Sequence, residues 1–200
     1  MLLTEVTAVP SGALPLQEFK DHLRLGTGFA DDTVQDGLAE VYLRAAMAAI
    51  EGRIGKAILA RGFVMEATGW RDDLAQALPV APVSAITGLV LKDAAGGVTV
   101  VDAARYRLIR DMHRPKIAGV GGGLPGVPMD GTAEVAFTAG FGPAWADVPA
   151  DLQQAVLMLG AYYHEHRSDA GELGPGTLPF GVVALIARWR TVRVLGGGEA

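Results

Sequence analysis

Thr138-Ala-Gly-Phe-Gly-Pro-Ala-Trp-Ala-Asp-Val-Pro-Ala-Asp-Leu-Gln-Gln-Ala155 is where a strand gives way to a helix, and the rest of the 200-residue chain is arranged around that change. The strand pattern ends at 137–139, and Gly140 and Gly142 break it. Pro149 sits where a first helical turn starts, a position at which its missing N–H would have had no helical partner. Asp147 or Val148 is the expected cap. Asp151 adds negative charge to the first turn, where the helix dipole favours it. Leu152, Val156, Leu159 and Tyr163 then fall on one stripe, widened by Ala155 and Tyr162. Arg167 closes the last turn with the complementary charge. The spacing predicts a helix over 149–167 in the middle of the core.

Working outward, residues 1–14 read as an extended arm interrupted by Pro10, Ser11 and Gly12. A short helix over 15–25 presents Leu16, Phe19 and Leu23, and Gly26 and Gly28 stop it. Asp31 or Asp32 caps a long helix over 31–59. Val34, Leu38, Val41 and Ala45 form one apolar line on it; Leu43, Met47, Ile50, Ile54 and Ile58 form another. Two lines imply packing on more than one neighbour, and alanines at 45, 46, 48 and 49 permit close approach. Gly52 and Gly55 weaken the distal end by roughly 1 kcal/mol each relative to alanine, which predicts a kink there.

Past Gly62 the period becomes that of strands, at 63–70, 86–92, 98–101, 106–109 and 132–138. Leu78-Pro79 and Ala81-Pro82 read as an extended crossing segment. Between 118 and 131 glycine and proline dominate, predicting a long flexible loop. A Gly-rich linker over 168–175 leads to Leu178-Pro-Phe-Gly181 and a last helix through Arg190, anchored by Val183, Ile186 and Trp189. The tail, 191–200, should fray. The expected fold is α+β: a bundle of about four helices with an inserted small antiparallel β region at 62–139, all one domain over 15–190.

Half of the residues are hydrophobic and a fifth are charged, enough for a substantial core. Mean hydropathy of +0.29 is high and suggests apolar surface covered by other subunits. A net charge of −5 argues against binding DNA through a basic face. Zero cysteines exclude disulfides, thiolate zinc sites and cysteine nucleophiles. Met-Leu-Leu-Thr-Glu-Val lacks a basic region before an apolar run, so no signal peptide is expected. The longest uncharged run, 74–91, is interrupted by Pro79 and Pro82 and is no membrane span.

Letters that resemble chemical motifs fail on context. Gly121-Gly-Gly-Leu-Pro-Gly126 spells a dinucleotide fingerprint, but Pro125 and Pro128 oppose the helix that fingerprint requires. Gly55-Lys56 resembles the end of a P-loop, yet Ala57 replaces the hydroxyl residue. His164 and His166 are two apart on a helix and point about 200° away from each other. Ser11, Ser84 and Ser168 stand in no nucleophile elbow. No catalytic residue, metal ligand or cofactor is expected, and the chain reads as a non-enzyme. Arg188, Arg190 and Arg193 read either as a solvated helix end, where cations complement the dipole, or, with Trp189, Val192, Val194 and Leu195, as a docking element that mixes cations and apolar groups as interface anchors do.

In order, these features resemble the head–tail connector (adaptor) family of long-tailed bacteriophages and phage-derived gene transfer agents. The resemblance runs from 16–25 through Ala45-Ala46, Ile50-Glu51 and Ile54-Gly55 to Leu78-Pro79, Pro82-Val83, Ile86 and Tyr106. It is strongest over Phe137-Thr-Ala-Gly-Phe-Gly142, Val148-Pro149, Asp151-Leu152, Ala155, Tyr163 and Arg167. Leu178-Pro-Phe-Gly181, Leu185 and Arg188 to Arg190 complete it; the Gly/Pro stretch at 118–131 is longer than the family pattern.

The resemblance implies a virion structural protein at the head–tail junction, made in the bacterial cytoplasm. It implies a ring, usually of twelve copies, with DNA passing through without sequence-specific contacts. Arg188, Trp189, Arg190, Val192, Arg193, Val194 and Leu195 are then candidates for docking on the portal protein. Gly121, Gly122, Gly123, Leu124 and Pro125 are candidates for facing the next neck, stopper or tail protein. No membrane partner is implied. The alternative, from another class, is a small ligand- or protein-binding module that uses the Gly-rich loop.

Overall fold

The computed structural model describes residues 1–23, 33–166 and 178–190, with the side chains of 33–35 left aside. Among these residues there are four α-helices, α1 (Leu16–His22), α2 (Thr33–Ile54), α3 (Ala150–Glu165) and α4 (Phe180–Ile186), and two antiparallel sheets. The larger sheet has the order β1-β2-β8-β4-β5, formed by Leu2–Glu5, Arg61–Ala67, Thr132–Ala139, Val83–Lys92 and Val98–Val100. The smaller has the order β3-β7-β6, formed by Ala75–Ala77, Lys116–Gly119 and Tyr106–Ile109. The fold is α+β as expected, but eight strands exceed the small β region that the sequence suggested.

Two apolar cores result. One lies among the helices: Phe19 of α1, Leu43, Met47, Ile50 and Ile54 of α2, Leu152, Val156 and Leu159 of α3, and Val182 and Ile186 of α4. The central position of α3 follows from its stripe, whose Leu152, Ala155, Val156 and Leu159 are fully enclosed. The second core lies between the sheets. Phe63, Met65, Leu89, Val135 and Phe137 of the larger sheet pack with Leu78, Ile117 and Leu124 from the smaller one and its loops.

β8 alternates buried and half-buried residues along its length, Ala133, Val135, Phe137 and Ala139 facing inward. That period of two fixes its register between β2 and β4. The strand ends at Gly140, whose φ of 134° is open to glycine. A side chain there would also run into the backbone of Ala60. This close approach lets Phe141 N–H donate to Ile58 O at 3.2 Å and Ala60 N–H to Gly142 O at 2.8 Å. The helical and β parts are thereby joined at the quoted stretch.

Several boundaries differ from expectation. α2 stops at Ile54 rather than kinking and running to 59, because Gly55 turns left-handed with φ of 66°. Ala57 N–H then pairs with Ala81 O and Ile58 N–H with Glu51 Oε1. Pro149 is itself the cap of α3, and Asp147 instead closes a short 3-10 helix, Trp145–Asp147, by accepting from Ala144 N–H at 2.9 Å. The last helix becomes 3-10 over Ala187–Trp189. In the N-terminal arm, β1 pairs with β2, and Val9 and Leu14 are buried in the helical core. No helix among the described residues is long and apolar enough to cross a membrane. Leu25, Asp31, Asp32, Arg167 and the 168–175 linker lie outside the described residues.

Candidate assembly interface

The C-terminal turn is positioned by α3. Asp151, on the first turn of α3, accepts the Trp189 indole N–H at 2.8 Å and pairs with Arg188 Nε at 2.7 Å through the same Oδ2. Trp189 packs edge-on against Phe141 with ring centroids 5.2 Å apart, and the Arg188 guanidinium lies 4.6 Å from the Trp189 ring centre. Trp189 is therefore half-buried against its own chain, whereas Arg188 and Arg190 are exposed. Val192, Arg193, Val194 and Leu195 lie outside the described residues. Beside this turn a shallow groove of about 530 Å³ is lined by Ala150, Asp151, Ala184, Leu185, Ala187 and Arg188.

The Gly-rich stretch is tied to the β part by hydrogen bonds. Leu124 N–H donates to Asp73 O at 2.7 Å, Gly119 N–H to Leu74 O at 3.1 Å, and the Trp70 indole N–H to Pro125 O at 2.7 Å. Leu124 and Pro125 are buried in the β core, and only Gly121, Gly122 and Gly123 of that set face outward. Glycine is required for the close seating: a Cβ on Gly123 would lie 2.9 Å from Asp73 O. The Gly119, Val120 and Leu124 N–H groups are spent on carbonyls of the chain itself.

The ionic groups that sequence reading passed over hold the parts together. Arg61 binds Glu51 of α2 through both terminal nitrogens, at 2.9 and 2.7 Å, and Glu5 of β1 through Nε at 3.0 Å. Burial works against its charge, but the hydrogen bonds and negative charge of Glu51, then of Glu5, outweigh it and raise its pKa. Lys56 is 1% exposed, with Nζ 3.0 Å from His113 Nδ1. Burial pushes the Lys56 ammonium below its ordinary pKa, and the Asp111 charge partly opposes the shift. Arg44 reaches Val9 O at 2.9 Å and Glu40 at 2.8 Å, fixing the arm along α2.

His164 packs edge-on to Tyr42, whereas His166 stacks on Tyr162 and approaches its carbonyl at 3.0 Å. The two rings go to separate places, as their spacing requires. Among the described residues no three His, Asp or Glu side chains converge as a metal site would need.

No protein-family model and no curated protein matches the chain. Solved structures do. A chain in the neck of an empty gene transfer agent (GTA) particle, computed with C6 symmetry, is 55% identical with a TM-score of 0.88. One in the virion of a native GTA particle is 56% identical with a TM-score of 0.86. One in the neck of a native GTA particle, computed with C12 symmetry, is 52% identical with a TM-score of 0.84. Each comparison covers 98% of this chain and 99% of the other. Identity of this extent, end to end on the same fold, shows that the chain belongs to the head–tail connector (adaptor) family of long-tailed bacteriophages and phage-derived gene transfer agents.

Proposed function

We propose that the chain is a structural adaptor that forms a ring at the head–tail junction of a phage-like particle, between the portal and the tail or its next neck protein. The observation that carries this reading is the 52–56% identity, over 98% of the chain, to chains of GTA necks and virions. The C6 and C12 symmetries of those necks support a ring of many copies, here taken as twelve. DNA passes through its channel. A net charge of −5 suits that passage, because a basic wall would hold the phosphates back.

Arg188 and Arg190, exposed at the end of the described C-terminal turn, lead into the segment that docks on the portal. Gly121, Gly122 and Gly123 are the part of the pinned loop available to the tail-side partner. The role is mechanical joining, with no substrate turned over. Particles produced without this chain are predicted to accumulate as heads lacking tails, restored by supplying it in trans. Normally tailed particles made in its absence would contradict the reading.

A further inference from the structure

α2 carries an apolar row that its own core does not use. Leu38, Val41, Ala45, Ala48 and Gly52 recur at alternating steps of three and four residues and are all exposed, Leu38 by 45% and Val41 by 58%. At about 100° per residue, this row lies on the side opposite Leu43, Met47, Ile50 and Ile54, which enter the helical core. A three–four spacing with small residues is the pattern through which helices pack side by side.

α3 packs against both α2 and α4, so α2 and α4 form the two edges of the helical layer. α4 likewise turns apolar residues outward: Phe180, 88% exposed, with Ala184 and Ala187 one and two turns on, opposite the buried Val182 and Ile186. Ala184 and Ala187 also line the groove beside the C-terminal turn. One edge of the layer is thus a ridge and the other a groove. The charged neighbours are already paired within the chain, Glu40 with Arg44 and Asp151 with Arg188, leaving apolar surface to bury.

A closed ring needs two different, mutually complementary faces on every copy. We propose that the α2 row of one copy seats in the α4 groove of the next, so that the helical layers continue from subunit to subunit around the ring. Leu38 and Val41 enter beside Phe180, against the alanines at 184 and 187. The proposal rests on the ring reading above.

The test uses assembled particles carrying p-benzoylphenylalanine in place of Val41, irradiated and digested. The expected photoproduct has twice the chain mass, joined to the peptide containing 180–188. The reciprocal probe at Ala184 is expected to join the peptide containing 38–52. A product within one chain, with a different protein, or elsewhere on a second copy overturns this contact, as does no product from either site. Because the chain has no cysteine, a double variant Val41→Cys, Ala184→Cys gives a second readout. Oxidation should link copies into a ladder of multimers, and monomer alone overturns the contact. A cross-link elsewhere on a second copy leaves the ring standing, whereas necks that lack the chain overturn ring and contact together.

Discussion

The Trp189 indole N–H donates to Asp151 Oδ2 at 2.8 Å, tying the last described turn of the chain to the first turn of α3. Phe141, just past the end of β8, packs on the same indole ring. The strand-to-helix junction and the C-terminal turn therefore meet at one place. Asp151→Ala removes the acceptor for Trp189 and the partner of Arg188, and is expected to cost about 1–2 kcal/mol. Urea denaturation followed by tryptophan fluorescence checks this, with emission shifted to the red in the native variant as Trp189 loosens. An unchanged midpoint and unchanged emission would show that the contact holds nothing in place.

Gly160 of α3 lies under the Phe19 ring of α1, where a Cβ would come within 3.0 Å of Phe19 Cε2. Phe19 is fully buried. Gly160→Val is expected to destabilise the protein by about 1–3 kcal/mol through overpacking, despite valine's better helix propensity. Thermal unfolding of the variant, compared with Gly160→Ala as the milder step, reads the size of the effect.

Lys56 gives a pH signature. Its pKa is lowered on folding by burial, with Asp111 opposing. Between that lowered value and the ordinary lysine value the unfolded chain binds more protons than the folded one, so stability rises with pH through that window. Lys56→Met removes this contribution. The variant is expected to be the more stable of the two at neutral pH, and its lead should shrink as pH climbs toward about 10. Urea midpoints of both proteins across that range decide it, and a constant difference would mean that Lys56 titrates normally.

The pinned loop predicts two further losses. Trp70→Phe leaves Pro125 O without its indole donor and should cost about 1 kcal/mol. Gly123→Ala should disturb the seating against Asp73. Hydrogen exchange at the Leu124 amide, bonded to Asp73 O, is expected to speed up in both variants, while the amides of α3 stay protected.

What the sequence made legible followed from short-range periodicity. The stripe Leu152, Val156, Leu159 located α3 and its central place, and the alternation along 132–138 located β8. Of the two apolar lines on α2, Leu43, Met47, Ile50 and Ile54 enter the helical core, whereas Leu38, Val41 and Ala45 are exposed on the chain by itself. Features set by distant partners were not legible. β3 and β7 are short, of 3 and 4 residues, and exist by pairing with each other. The glycine count at 118–131 suggested freedom, yet Gly119, Gly123 and Gly131 serve close backbone approach. The inward hydrogen bond of Trp189 was not legible because Asp151, 38 residues away, gives no local sign of accepting its N–H. Lys56 looked like a broken nucleotide motif; its enclosure depends on Ala81 and His113, both remote in sequence. Portal- and tail-facing roles came from family resemblance, since no residue pattern in one chain specifies its partner.

The docking assignment makes its own prediction. Arg190 is exposed, and its backbone N–H, which a substitution keeps, closes the last turn on Ala187 O. Arg190→Glu should leave the cores intact by circular dichroism but lower incorporation into portal-bearing heads several-fold. Undiminished incorporation would move the portal contact elsewhere on the surface.

The central claim, mechanical joining by a ring, is tested most directly by a symmetry-averaged image of the neck in particles produced with this chain. The account predicts twelve copies of the fold between portal and tail around a channel wide enough for duplex DNA. A complete neck in which this chain is absent, or in which it sits away from the head–tail junction, would contradict it.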